Sequence, residues 1–157
     1  RTLVRPRRPR NGLAHEEDRM RKRTQAREIA LQILYQLDLR GEEVLEDLDG
    51  LVRDTTEDAE VIGFARGLVL GSWEHRTLID EKIRSVATNW ELPRMAAVDR
   101  NILRLATYEL LCCEDIPPLV AINEAIEMAK KFSTKNSGPF VNGILDNIRL
   151  RAKPPKA

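Results

Sequence analysis

The residues best suited to chemistry are cations near the start of the chain: Arg19, Arg21, Lys22 and Arg23, with Arg27 one turn further on. Arg23 and Arg27 are four residues apart, so they share one face of a helix. A guanidinium matches phosphate geometry, and such a cluster points to a polyanionic partner. Thr24 suits a helix N-cap. Cations at a helix start oppose its dipole and cost stability, which favours a binding role over decoration. A second group surrounds the turn at Ser137-Gly138-Pro139-Phe140, where Lys130, Lys131 and Lys135 gather. Ser137 suits an N-cap and Pro139 the first turn. Phe140 has two readings: a core staple, or a partly exposed ring beside lysines on which an unpaired base can stack.

Other chemistries have little to stand on. His15 lies among charges near the start, and His75 sits at a helix start among charges; neither belongs to a cluster that could hold a metal. No Gly-rich phosphate loop follows a strand. No Ser or Cys has a base nearby in sequence, and the carboxylates fall on polar helix faces. No catalytic residue, metal site or cofactor is expected, and the protein reads as a non-enzyme. Cys112 and Cys113 are adjacent, a poor disulfide pair, and read as small buried hydrophobes in a reducing compartment.

The elements that must position these groups are helical. Ala26, Ile29, Ala30, Ile33, Leu34 and Leu37 form one apolar stripe on a helix from Thr24 to Leu39, ended by Gly41. Weaker amphipathic periodicity covers 42–53. Helices follow over 57–73, 75–87 and 95–112, and after Pro117-Pro118 over 119–131 and 138–150. The 95–112 segment is apolar nearly all round, as befits the central helix of a bundle. Gly63, Gly67 and Gly71 recur on one stripe and predict close helix approach, as does Gly143. No β-alternating run with hairpin turns is present. The fold class is all-α, with about seven helices.

Its 157 residues suit a single domain that needs no disulfide or metal. The net charge of +1 conceals a split. Residues 1–27 hold ten basic and three acidic residues, whereas 28–157 hold sixteen basic and twenty-two acidic. A basic arm on an acidic body suits a polyanionic partner or a solubilising tail. Residues 1–21 are expected to be a disordered basic extension, 22–150 the helical domain and 151–157 a disordered tail. No signal-peptide core and no run of 18 apolar residues occurs, which predicts a soluble cytoplasmic protein without membrane contact.

Four segments, KRTQAREIALQILYQ at 22–36, VDRNILRLATYEL at 98–110, VAINEAIEMAKKF at 120–132 and FVNGILDNI at 140–148, resemble the NusB family of bacterial transcription antitermination factors in order and spacing. The resemblance implies an all-helical fold of two small packed bundles. It implies binding to single-stranded boxA RNA of ribosomal RNA transcripts, jointly with the ribosomal protein NusE, in an antitermination complex with RNA polymerase. It suggests an RNA face made of Arg21, Lys22, Arg23, Arg27, Lys135 and Phe140. It suggests a NusE face near Asp99 and Arg100, with Glu124. NusB-like domains also front RNA cytosine methyltransferases, which need a further α/β domain, and the Pro-Pro-Lys tail reads as a natural finish without one. A homodimeric protein–protein adaptor is the third reading.

Overall fold

The computed structural model describes residues 11–151. Among the described residues seven α-helices run in order: α1 (Asn11–Arg40), α2 (Leu48–Arg53), α3 (Ala59–Glu74), α4 (Arg76–Val86), α5 (Ala97–Cys112), α6 (Pro118–Phe132) and α7 (Ser137–Arg151). One 3-10 turn, Glu42–Asp47, precedes α2, and another, Leu92–Arg94, precedes α5. Among the described residues there is no strand. The expected helix over 42–53 is therefore half 3-10 and half α.

The helices form two small bundles. α1, α2 and α3 pack together, as do α4, α5, α6 and α7, and α5 touches both α1 and α3. Ile102, Leu103, Leu105 and Ala106 of α5 are all buried, as expected of a central helix, and meet the α1 stripe Ala26–Leu37 in one continuous core. Local signals set the ends. Gly41 stops α1 with φ at 90°, a conformation that L side chains rarely adopt. Asp58 caps α3 by accepting from the backbone N–H groups of Glu60 and Val61. Pro118, which has no N–H to satisfy, opens α6.

The described residues are helical from Asn11, eleven residues before the expected domain boundary at 22. Residues 1–10 and 152–157, expected to be disordered, lie outside the described residues, but 11–21 are helical. This segment has no apolar stripe. It contains good helix formers and charge pairs one turn apart, Asp18 with Arg21 (3.5 Å) and Asp18 with Lys22 (3.4 Å). Thr24 is consequently no cap. It sits in mid-helix, its hydroxyl 3.0 Å from the Met20 carbonyl and 2.8 Å from Glu124. The basic cluster also lies in mid-helix, so the dipole penalty that favoured a binding role does not apply.

Of the glycines expected to pack closely, one does. A Cβ at Gly71 would overlap the Tyr108 ring, whereas Gly63, Gly67 and Gly143 face open space. Cys112 and Cys113 are free thiols, half-buried rather than fully buried.

Candidate nucleic-acid interface

The basic segment of α1 divides into groups committed to the fold and groups left at the surface. Arg27 is 1% exposed. Its Nε donates to Glu109 Oε1 at 2.9 Å, and its Nη2 lies 2.7 Å from the same oxygen. Glu124 adds a second, longer ion pair at 3.9 Å. Glu109 is equally buried. Burial pushes its pKa up, and the Arg27 bond and charge only partly offset that. A guanidinium used in this way presents nothing to a phosphate, so Arg27 leaves the expected RNA face and becomes the tie between α1 and α5.

Lys22 is drawn inward too. Its ammonium lies within 3.5 Å of Asp18, Asp58 and Glu60. Hydrogen bonding to Asp58, together with these charges, raises its pKa. Because Asp58 caps α3, Lys22 pins the start of that helix to α1. Arg23 is half-buried, 4.9 Å from the Phe64 ring and 3.5 Å from Asp115. Arg21 points out, with its side chain 79% exposed and only the loose pair to Asp18 among the described residues. Arg19, Lys22 and Arg23 line a groove with Phe64 and Gly63 of α3.

Phe140 belongs to a second group. It is half-buried, and its ring meets Trp90 edge-on, with centroids 5.4 Å apart and planes at 76°. Both rings line an open groove of about 320 Å³ with Arg94, Met95, Asp99, Thr134, Asn136 and Ser137. Lys135 stands exposed on the same turn. Phe140 therefore keeps an accessible ring, as base stacking requires, while also packing on the core.

A further groove lies between α1 and α6, lined by Thr24 and Glu28 of the first helix and by Glu124, Glu127, Met128, Lys130 and Lys131 of the second. Lys131 pairs with Glu28 of α1 at 2.9 Å. Lys130 lies against Gly138 at the start of α7. Lys130 and Lys131 thus stand exposed between α1 and the α7 turn, each beside a carboxylate, since Lys130 also pairs with Glu127 at 3.4 Å.

The three residues expected to meet a protein partner do not form one patch. Asp99 accepts hydrogen bonds from Ser133 (2.7 Å) and Ser137 (3.1 Å), locking the start of α5 to the α6–α7 turn. Ser137 is thus the first residue of α7 and an anchor for Asp99 rather than an N-cap. Arg100 turns into the fold, where it donates to Asp38 (2.6 and 2.9 Å) and to the carbonyls of Leu92 and Met95 (both 3.0 Å). Glu124 of α6 accepts from Thr24 and lies nine residues before Ser133, the residue that follows α6, which is about 13 Å of helix rise. Asp99 lies closer to the Phe140 groove than to Glu124.

Two features escaped the sequence reading. Trp90 stands alone in a polar connection, so no periodicity marks it. Glu109 carried a usable signal, a single carboxylate in the apolar run of α5, which is expensive to bury without a cation. Among the described residues no cluster of three or more His, Cys, Asp or Glu could hold a metal, and no helix is long and apolar enough to cross a membrane.

The NusB family model matches residues 24–149. The transcription antitermination protein NusB of Anaeromyxobacter sp. (strain Fw109-5) is 49% identical over 142 residues, covering 86% of this chain and 94% of that protein. A structure of T. maritima NusB superposes with a TM-score of 0.77 at 42% identity, over 84% of this chain and 93% of that one. A crystal structure of antitermination factors NusB and NusE in complex with dsRNA gives a TM-score of 0.76 at 31% identity, over 84% and 98% of the two chains.

Proposed function

The chain belongs to the NusB family, and from that premise we propose that it is a transcription antitermination factor that binds boxA RNA of ribosomal RNA transcripts together with NusE. The carrying observation is the near full-length likeness to antitermination proteins, including one solved with NusE and RNA. The likeness spans 94% of the Anaeromyxobacter antitermination protein, which disfavours the methyltransferase reading. The protein acts as a binding component in a complex with RNA polymerase and has no catalytic role. Its place of action is the cytoplasm, where bacterial transcription occurs.

The RNA face proposed here uses Arg21 and Arg23 of α1, Lys135 of the α6–α7 turn, and Phe140. Lys22 contributes positive potential, although a phosphate would have to compete with three carboxylates for its ammonium. Lys130 and Lys131 supply the connecting charge across α6. The residues are of the kind that single-stranded RNA uses: cations for phosphates and an accessible ring for an unstacked base.

A titration of fluorescently labelled boxA RNA with this protein, with NusE, and with both tests the reading. Joint binding tighter than either protein alone is the expected result. Folded protein that neither binds boxA RNA nor tightens its binding by NusE would return the chain to the adaptor reading, which sedimentation of the protein alone would then examine for a homodimer.

A further inference from the structure

Trp90 is 59% exposed, although it is one of the largest apolar side chains in the protein. An exposed apolar residue standing singly needs no explanation, but this ring, in the connection between α4 and α5, stands edge-on to the half-buried Phe140. Two aromatic planes at 76° with centroids 5.4 Å apart leave no room between them for a third ring. They form a corner: a flat group can lie on one ring face while its edge meets the other. The groove they line is open to solvent and about 320 Å³ in volume.

The surroundings select among flat groups. Asn136 lines the same groove and has no side-chain hydrogen bond to another described residue, so its amide can donate and accept at the rim. Arg94 and Lys135 supply cations beside the corner. Arg94 is paired with Glu91 at 3.2 Å, but both side chains are highly exposed, and such a pair yields to a phosphate at little cost. Asp99, the carboxylate lining the groove, is already committed to the hydroxyls of Ser133 and Ser137. An aromatic corner, a free amide edge and flanking cations fit a nucleobase with its phosphates.

We propose that Trp90 and Phe140 together hold one unpaired RNA base, with Trp90 as the second wall of the site and Asn136 at its polar edge. This rests on the RNA-binding reading above and adds a residue to it.

The test uses the full chain with NusE and a single-stranded boxA RNA. The protein has two tryptophans, so Trp73→Phe leaves Trp90 as the sole indole emitter while keeping a ring beneath Arg76. Stacking predicts quenching of Trp90 emission that follows the binding curve read independently from labelled RNA. Trp90→Ala should weaken binding about tenfold, Trp90→Phe should recover most of that loss, and the salt dependence should not change, because stacking releases no counterions. Circular dichroism checks that each variant is folded. Undiminished affinity in Trp90→Ala, without quenching in the single-tryptophan protein, would overturn the corner and leave the parent reading intact. A loss of affinity that comes with a shallower salt slope would also overturn it, by assigning the effect to charge. No RNA binding by the wild-type protein, with or without NusE, would overturn the parent reading and the corner with it.

Discussion

Arg27 and Glu109 form an ion pair in which both residues are 1% exposed, joining α1 to α5 across 82 residues of sequence. Glu109 Oε2 is buried with no hydrogen-bond partner among the described residues, so the pair is already under-satisfied. Removing one partner strands the other charge. Arg27→Ala should lower stability by about 3–5 kcal/mol, whereas Arg27→Met combined with Glu109→Leu should come much closer to neutral. Urea unfolding of the two variants measures this. At temperatures where Arg27→Ala is still folded, its RNA affinity should match wild type. A selective loss of RNA binding without loss of stability would put Arg27 back on the interface.

Gly71 and Tyr108 make a second contact between the bundles. A Cβ at Gly71 would overlap the Tyr108 ring, so the ring or the helix must move. Gly71→Ala should therefore destabilise by about 1–3 kcal/mol, as overpacking does. Gly67→Ala is the control. It lies one turn earlier on the same stripe of α3, is exposed and faces open space, so Ala should stabilise by up to about 1 kcal/mol. Opposite signs in thermal unfolding would separate packing from propensity.

Periodicity made the helices readable, because burial on one face repeats along the chain. The Ala26–Leu37 stripe and the apolar α5 needed no other information. The start of α1 was not readable from that signal, since residues 11–21 bury almost nothing and are held by charges one turn apart. Arg23 and Arg27 look equivalent in sequence. They part company because Glu109, distant along the chain, reaches only Arg27. The same holds for Asp99 and Arg100, neighbours whose partners lie on the α6–α7 turn and on α1 respectively. Membership of a family is written in four segments, but which cation faces water is decided by tertiary partners.

Asp38 links stability to acid. Burial alone would raise its pKa, but hydrogen bonds from Arg100 and Asn101, with the charges of Arg104 and Arg100, outweigh it and hold the carboxyl below its ordinary value. A depressed folded pKa stabilises above the unfolded value, about pH 4, and that contribution disappears as pH falls through the folded pKa. Asp38→Asn should lose stability at pH 7, where Arg100 and Arg104 then lack their shared counter-charge. Its stability should also fall less steeply than wild type below about pH 4. Unfolding free energy measured from pH 7 to pH 2.5 would show the two curves converging. Parallel curves would mean that Asp38 does not carry the linkage.

Arg21, Arg23 and Arg27 make a graded series within two turns of one helix. Arg21 is exposed and loosely paired, so its guanidinium can reach a phosphate without disturbing the fold. Arg23 stacks on Phe64 and pairs with Asp115, so its loss should also reduce stability, by up to about 1 kcal/mol. Each phosphate contact on single-stranded RNA contributes about 0.7 to the slope of log affinity against log salt. Arg21→Ala and Arg23→Ala should each flatten that slope by about 0.7 and weaken different RNA sequences alike, because phosphates carry no base identity. Arg27→Ala should leave the slope unchanged. Three salt titrations of boxA RNA in the presence of NusE distinguish the residues. An equal flattening by all three would show that α1 rearranges to release Arg27 when RNA binds, and an unchanged slope in Arg21→Ala would take the start of α1 out of the interface.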